Sequence, residues 1–450
     1  MAPVDLYDET HRPQFHFTPQ RNWTNDPNGL VWYAGEYHLF FQHNPRGIRW
    51  GNMTWGHAVS PDLLHWQQVR DAIEPDELGT IFSGSAVVDW RNTGGFQTGS
   101  EPALVACYTS AGSEAPTPRP FTQSLAYSND RGRTWTKYAG NPVLDHVRGA
   151  NRDPKLIWHE ATAQWIMALY LDGHDYALYG SRNLRAWQHL SDLVLPGASE
   201  CPDFFPLAVD GRAEEERWLF WGGNGTYALG TFDGRAFTPQ TEVLRAESGA
   251  NGYAAQSWSD IPASDGRRLQ VSWMNGGKYP AMPFNQQMSI PVELTLRTLA
   301  EGVRLCRWPV RELEQLRAWK HVFRDEELAP GRDLVPGTGG ELFDVELEVD
   351  PAAATALGVW VRGLDLCCDL EQGTISFLGR SAPLPRREGR VVLRLVIDRT
   401  SLEVFADQGQ LSMSFCFLPE AADQPLAVYA RGGAARVTRL VVHELQSVWR

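Results

Sequence analysis

Ser60-Pro61-Asp62-Leu63-Leu64-His65-Trp66 returns as Ser128-Asn129-Asp130-Arg131-Gly132-Arg133-Thr134-Trp135, then as Ser181-Arg182-Asn183-Leu184-Arg185-Ala186-Trp187. A weaker copy follows at Thr231-Phe232-Asp233-Gly234-Arg235-Ala236-Phe237. Each copy is a small hydroxyl residue, a turn and an aromatic, and the aromatics stand 69, 52 and 50 residues apart. Between the copies lie short runs rich in β-branched and aromatic residues: Leu30–Tyr33, Tyr37–Gln42, Leu104–Thr109, Leu156–Trp158, Trp165–Leu171 and Trp218–Trp221. Gly, Pro, Asn or Asp bounds each run, the mark of strands between turns. A sustained 3.6-residue period is scarce over 26–297, so helix is a minor component there. Short strands repeating at about 50 residues predict the four-stranded blades of a propeller.

A second series interleaves with the first. Polar turns lead into strands at Asn25-Asp26-Pro27-Asn28-Gly29, Phe82-Ser83-Gly84-Ser85, Arg152-Asp153-Pro154-Lys155, Glu200-Cys201-Pro202-Asp203 and Tyr253-Ala254-Ala255-Gln256. If each opens the innermost strand of a blade, all five gather at one end of a central channel, and carboxylates far apart in sequence converge. The reading is an all-β chain whose residues 1–300 form a five-bladed β-propeller, with a β-sandwich of similar strand content as the competing fold. Residues 301–320 read as a linker carrying a short amphipathic helix from Trp308-Pro309 to Trp319-Lys320. After a Gly/Pro-rich stretch at 330–340, alternating strands return at Leu342–Val349, Thr374–Leu378, Val391–Asp398, Ser401–Ala406 and Val437–Val442. Alternation with one face inward predicts a C-terminal β-sandwich over 321–450, either structural or a wall on the substrate side.

Composition narrows the function. The 450 residues hold 41 bases and 54 acids, a net charge of −13, which repels phosphate and argues against nucleic acid or an anionic membrane as partner. No run approaches the roughly 18 apolar residues of a membrane helix. Met1 to Pro13 is polar and charged and lacks the apolar core of a secretory leader. Six cysteines, at 107, 201, 306, 367, 368 and 416, show no CxxC spacing and are few for this length. Both features point to a reduced, cytoplasmic setting; a chain trimmed of a leader would instead be secreted. The adjacent Cys367 and Cys368 would face opposite ways in a strand. The 18 Trp, 13 Tyr and 19 Phe suit both cores and the apolar faces of sugar rings.

Asp26, Asp153 and Glu200 each sit on a Pro-containing turn of the second series. Glycoside hydrolysis needs two carboxyl groups across the scissile bond, one ionised and one protonated. The polar turn around Asp26 should keep it ionised by hydrogen bonding, and the adjacent Arg152 should do the same for Asp153. Partial burial against a Phe204-Phe205 wall should favour the protonated form of Glu200. Cys201 reads as a small buried residue shaping its turn. No carboxylate or cysteine pattern makes His11 or His16 a metal ligand, and neither metal nor cofactor is called for. The sequons at Asn22, Asn52 and Asn224 read as coincidental.

Trp23-Thr24-Asn25-Asp26-Pro27-Asn28-Gly29, Arg152-Asp153-Pro154 and Glu200-Cys201-Pro202-Asp203 resemble the three signature blocks of glycoside hydrolase family 32, the invertases, exo-inulinases, levanases and related fructosyltransferases. The resemblance extends through Phe41-Gln42-His43-Asn44-Pro45, Trp50-Gly51-Asn52-Met53-Thr54-Trp55-Gly56-His57, Phe82-Ser83-Gly84-Ser85 and Ile397-Asp398-Arg399-Thr400-Ser401-Leu402-Glu403-Val404-Phe405, nearly the whole chain. It implies a five-bladed propeller joined to a β-sandwich. It also implies Asp26 as nucleophile, Glu200 as acid/base and Asp153 as transition-state stabiliser. Asn25, Gln42, Trp50, Phe82, Ser83, Arg152 and Trp273 would form the pocket for a terminal fructosyl unit. Thr24 stands where many members carry Met, a change expected at the pocket rim. The expectation is a retaining hydrolase releasing β-fructosyl units from sucrose, inulin or levan. The alternatives are a fructosyltransferase, an inverting pentosidase, and a propeller that binds glycans without catalysis.

Overall fold

The computed structural model describes residues 6–335, 337, 339–419 and 426–449. The first five residues of the polar start and two positions of the Gly/Pro-rich stretch lie outside them.

Five blades succeed one another along the chain. Their innermost strands are Asn22–Tyr33, Thr80–Asp89, Arg152–His159, Asp203–Val209 and Gly252–Ser257, and each neighbours the next around a ring. Antiparallel strands follow outward in every blade; in the fifth these are Arg268–Met274, Val292–Leu299 and Gly302–Pro309. One apolar cluster fills each gap between blades. Phe40 and Trp55 meet Val88 and Tyr108 between the first and second, and Val105 meets Leu156 and Met167 between the second and third. Ile166 and Tyr176 meet Phe204 and Phe220 in the next gap, Leu219 meets Val292 in the fourth, and Leu269 meets Leu39 and Phe41 where the ring closes. Burying side chains of this size contributes roughly 2–3 kcal/mol each.

The repeated phrase is the turn between the third and outermost strands of the first four blades. Its acidic or amide residue folds back on the backbone: Asp62 Oδ1 accepts from the amides of Leu64 and His65 (3.1 and 2.9 Å), and Asn183 Oδ1 from Arg185 and Ala186 (3.1 and 3.0 Å). Asp233 Oδ1 does the same for Arg235 and Ala236 (2.8 and 2.7 Å), which explains the choice of Asp or Asn at that place. The following indole N–H closes the turn in Trp66 and Trp135, donating to Leu63 O and Gly132 O (2.9 and 3.0 Å).

The second series is where the innermost strands begin. In four blades two residues there oppose one on the next strand: Asn25-Asp26 oppose Gln42, Phe82-Ser83 oppose Thr109, Asp153-Pro154 oppose Leu169, and Ala254-Ala255 oppose Ser272. These are β-bulges, which bend the strand and re-aim a side chain. In the fourth blade Glu200-Cys201-Pro202 precede the strand, and Gly223 N donates to the carbonyls of Ser199 and Glu200 (2.7 and 3.0 Å).

The C-terminal unit is a β-sandwich. One sheet runs, edge to edge, through Arg317–Phe323, Ala435–Leu445, Phe343–Asp350, Val391–Asp398, Ser401–Ala406 and Leu411–Cys416; the other contains Ala356–Val361, Leu364–Asp369 and Leu426–Arg431. Alternate residues, among them Val345, Leu347, Leu395, Val359 and Val428, fill the space between them. Cys368 points into this core and Cys367 away, as strand geometry requires. Residues 308–320 correct the sequence reading. Instead of an amphipathic helix they give the end of the fifth blade's outer strand, a six-residue 3-10 turn (Arg311–Leu316) and a sandwich strand. The ladder offered by Ala435–Leu445 captures Arg317–Phe323, so tertiary pairing overrides local pattern.

Buried polar contacts join the two units. Glu247 of the propeller, paired with Arg307 of its own unit (2.7 Å), accepts from Ser414 N (2.9 Å) and Ser414 Oγ (3.0 Å) of the sandwich. His16 lies between Asp398 (Nδ1 to Oδ2, 2.8 Å) and Glu403 (Nε2 to Oε2, 2.7 Å).

Candidate active site

The bulged strand starts surround a cavity of about 450 Å³. All ten residues singled out from the sequence line it: Asn25, Asp26, Gln42, Trp50, Phe82, Ser83, Arg152, Asp153, Glu200 and Trp273. Every described lining residue belongs to the propeller, so no described residue of the sandwich forms a wall of the site.

The three carboxyls are linked through shared neighbours. Asp26 Oδ2 accepts from Ser83 Oγ (2.6 Å) and Oδ1 from Asn25 Nδ2 (3.1 Å), whose own Oδ1 is held by Trp23 Nε1 (2.7 Å). Cys201 Sγ touches Asp26 Oδ2 and Asp153 Oδ2 (3.5 and 3.4 Å), and its backbone N–H donates to the latter (3.1 Å). The thiol is thus a wedge between two carboxyls as well as a turn former. Arg152 pairs with Asp153 Oδ2 (3.7 Å) and hydrogen-bonds Glu200 Oε1, while Tyr253 OH hydrogen-bonds Glu200 Oε2. The guanidinium also lies over the Tyr170 ring, 4.7 Å from its centroid. Asp153, Glu200 and Cys201 hold φ of +64°, +50° and +35°, a left-handed backbone costing about 1–3 kcal/mol per residue, which the surrounding blades must outweigh.

Electrostatics correct two expectations. Burial pushes Asp26 above its ordinary value, against the opposing hydrogen bonds from Ser83 and Asn25. Burial likewise raises Asp153 to about 7; Arg152 pulls the other way, but the charges of Asp26 and Glu200 push with burial. Desolvation beside two more carboxyls therefore outweighs one guanidinium. A third correction concerns the wall beside Glu200. Phe204 and Phe205 point to opposite sides of their strand, into two different gaps between blades, and neither lines the cavity. Thr24 is fully buried and also stands away from the cavity.

Aromatic rings frame the opening. Trp50, 52% exposed, meets Phe82 edge-on (6.0 Å), and Phe82 meets Phe121 (5.4 Å). Opposite them Trp273 contacts Trp23 and Tyr253 (6.1 and 6.3 Å) and donates to Gln286 Oε1 (3.1 Å). Gln42, 2% exposed, has an Nε2 with no partner among the described residues, a donor at the cavity wall. Tyr253, Ser113, Glu114 and Phe121 also line the cavity and were missed. Tyr253 had a signal, as it heads the fifth polar turn. The other three lie on the connection 112–121, which no repeat marks.

The chain's two units match two family models: "Glycosyl hydrolases family 32 N-terminal domain" over residues 16–309 and "Glycosyl hydrolases family 32 C terminal" over 312–444. It is 42% identical to a levanase of Bacillus subtilis (strain 168) over 497 residues, covering all of this chain and 72% of the levanase. The solved exo-inulinase of Aspergillus awamori superposes with a TM-score of 0.88 at 30% identity, covering 98% of this chain and all of the other. A fructofuranosidase of Schwanniomyces occidentalis, complexed with fructose, superposes with a TM-score of 0.86 at 26% identity, covering 99% of this chain and all of the other.

Proposed function

Because the chain belongs to glycosyl hydrolase family 32, we propose that it is a retaining, exo-acting β-fructosidase that removes terminal fructosyl units from sucrose or from inulin- or levan-type fructans. The observation that carries this reading is the convergence of Asp26, Asp153 and Glu200, from three different blades, on one aromatic-framed cavity.

In this reading Asp26 is the nucleophile. Its Oδ1 has a single donor and keeps a lone pair for the anomeric carbon, while Ser83 and Cys201 hold Oδ2. Glu200, positioned by Arg152 and Tyr253, gives its proton to the departing oxygen in the first step and takes one from water in the second. Asp153, fixed through Cys201 N and its own N–H to Thr109 Oγ1 (3.0 Å), faces the ring hydroxyls and stabilises the positive charge that develops on the sugar. The unpartnered Nε2 of Gln42 supplies a further donor to a hydroxyl. Trp50 and Phe82 cover the apolar face of the sugar.

Time-resolved product analysis with sucrose, inulin and levan tests the reading. Fructose as the first product from both polymers, released initially as the β-anomer by NMR, is expected. A ladder of oligomers overturns exo action, an initial α-anomer overturns retention, and longer saccharides made from sucrose mark a transferase.

A further inference from the structure

On the opposite face of the propeller, the far mouth of the ring, the C-terminal ends of Thr80–Asp89 and Arg152–His159 and the residues after Gly252–Ser257 line a separate cavity of about 230 Å³. Trp90, 54% exposed, stands at its edge, and Trp158 and Trp165 form an edge-to-face pair in its wall (5.2 Å). The Trp90 ring donates Nε1 to Asp260 Oδ1 (2.8 Å) and packs edge-on against Tyr33 (5.8 Å), with Asp260 Oδ2 accepting from Val88 N (2.9 Å). Arg268 lines the same cavity, stacked over Phe205 at 4.7 Å. Asp203 and Asp260 attract it, yet its one hydrogen bond to a described residue is Nη1 to Trp258 O (3.3 Å). Lys155 cannot complete the arrangement, since it is committed to Asp203 (3.2 Å) and Ser257 O (2.8 Å).

A carboxylate and a guanidinium that line one small cavity without pairing leave room for a group able to donate to one and accept from the other. Sugar hydroxyls do both, and a flat indole beside them suits the apolar face of a sugar ring. Of the cations lining the cavity, Arg91 is paired with Glu160 (2.8 Å) and Lys155 with Asp203, so an anionic ligand would find one unpaired guanidinium against Asp260 and the chain's net charge of −13. We propose that this far mouth is a second saccharide site, which holds a neutral sugar unit of a fructan polymer while another chain end is hydrolysed at the near mouth; the inference rests on the β-fructosidase reading. On the second and third inner strands five residues separate near-mouth Ser83 and Asp153 from far-mouth Val88 and Trp158, roughly 16 Å at about 3.3 Å per residue. Sucrose cannot occupy both, whereas a large polymer offers units to each and gains from the second hold.

Levan binding by Asp26→Asn protein, which holds polymer without cleaving it, is measured by electrophoresis in levan-containing native gels, alone and with Trp90→Ala or Arg268→Gln added. Each addition should weaken levan binding about fivefold to tenfold. In the cleaving parent, Trp90→Ala should raise KM for levan by a similar factor with kcat unchanged, and leave kcat/KM for sucrose within twofold. Trp90 is exposed, so that variant remains informative if Arg268→Gln fails to fold. Unchanged levan affinity in Trp90→Ala, with normal sucrose hydrolysis, overturns this inference alone. A parent that cleaves neither sucrose nor levan overturns the functional reading and this inference with it.

Discussion

Two groups of buried carboxyls in this protein are driven in opposite directions. At the junction of the two units Asp398 accepts from the amides of Gln14 (2.8 Å), Phe15 (3.1 Å) and Arg399 (2.6 Å) and from His16 Nδ1 (2.8 Å). Burial alone would raise it, but these donors outweigh burial and hold it below its ordinary value. Burial would lower His16, yet Asp398 and Glu403 outweigh that and push it up to about 9. At the channel mouth, burial outweighs the few donors that face Asp26 and Asp153 and raises both, with the charge of neighbouring carboxyls adding to it. A carboxyl whose lone pairs are all taken is part of the scaffold; one left with lone pairs toward a cavity is available for chemistry.

The largest expected effect sharpens that contrast at Asp26. An amide cannot form the covalent intermediate, so Asp26→Asn should lower kcat on sucrose by about four orders of magnitude or more, with a melting temperature close to the parent's. Retention of activity within tenfold would assign the nucleophile elsewhere. Glu200→Ala should cost about 10²–10⁴-fold on sucrose, whose leaving group needs a proton, and far less on an activated aryl fructoside. Azide should restore turnover and yield a β-configured fructosyl azide; equal losses on both substrates without rescue would remove Glu200 from the acid/base role. Asp203 would be a poor replacement, because it is tied to Lys155 and the amides of Phe204 and Ser257 (2.9 and 2.6 Å).

The opposite pattern is expected at the junction. Asp398→Asn leaves His16 facing one carboxylate and should lower unfolding free energy by about 3–5 kcal/mol, while kcat of the folded protein stays within about threefold. A large kcat loss at full stability would break the division between scaffold and chemistry. The smallest effect is in pH. A histidine raised from its ordinary 6.5 to about 9 contributes fully below pH 6.5, and that contribution is lost as pH rises through 9. Unfolding free energy from urea titrations should therefore fall between pH 6.5 and 9 by an amount on the order of 3 kcal/mol, and His16→Gln should flatten the slope. An equally steep slope in His16→Gln would place the titration in another group.

What was legible in the sequence follows the same division. The turn phrase and the polar strand starts are local patterns, so the blades and the three carboxyls could be read from them and the sandwich from its alternation, whereas the other seven predicted cavity residues rested on the family resemblance. The partners of His16 lie 382 and 387 residues away, and no local pattern shows them. Tyr253 was quoted for its turn but its contact with Glu200 depends on how the fifth blade meets the fourth. The helix at 308–320 failed because the partner strand, Ala435–Leu445, comes more than a hundred residues later. The balance of charge at Asp153 failed because the adjacent arginine and the convergence of carboxyls are visible in sequence, whereas the depth of burial that outweighs the arginine is not.

The bulges at the channel mouth carry one more consequence. In a regular ladder, a residue gained or lost shifts the side chains beyond it to the other face. Here Asn25-Asp26, Phe82-Ser83, Asp153-Pro154 and Ala254-Ala255 already stand two against one; normal pairing resumes directly beyond the last three, while in the first blade a second bulge, Gly29-Leu30 against Leu39, follows. In those three blades the extra residue is absorbed at the mouth itself, and the strand beneath it packs between blades as a regular ladder does. Evolution, or a protein engineer, can rewrite the side chains at these positions while the scaffold beneath keeps its register.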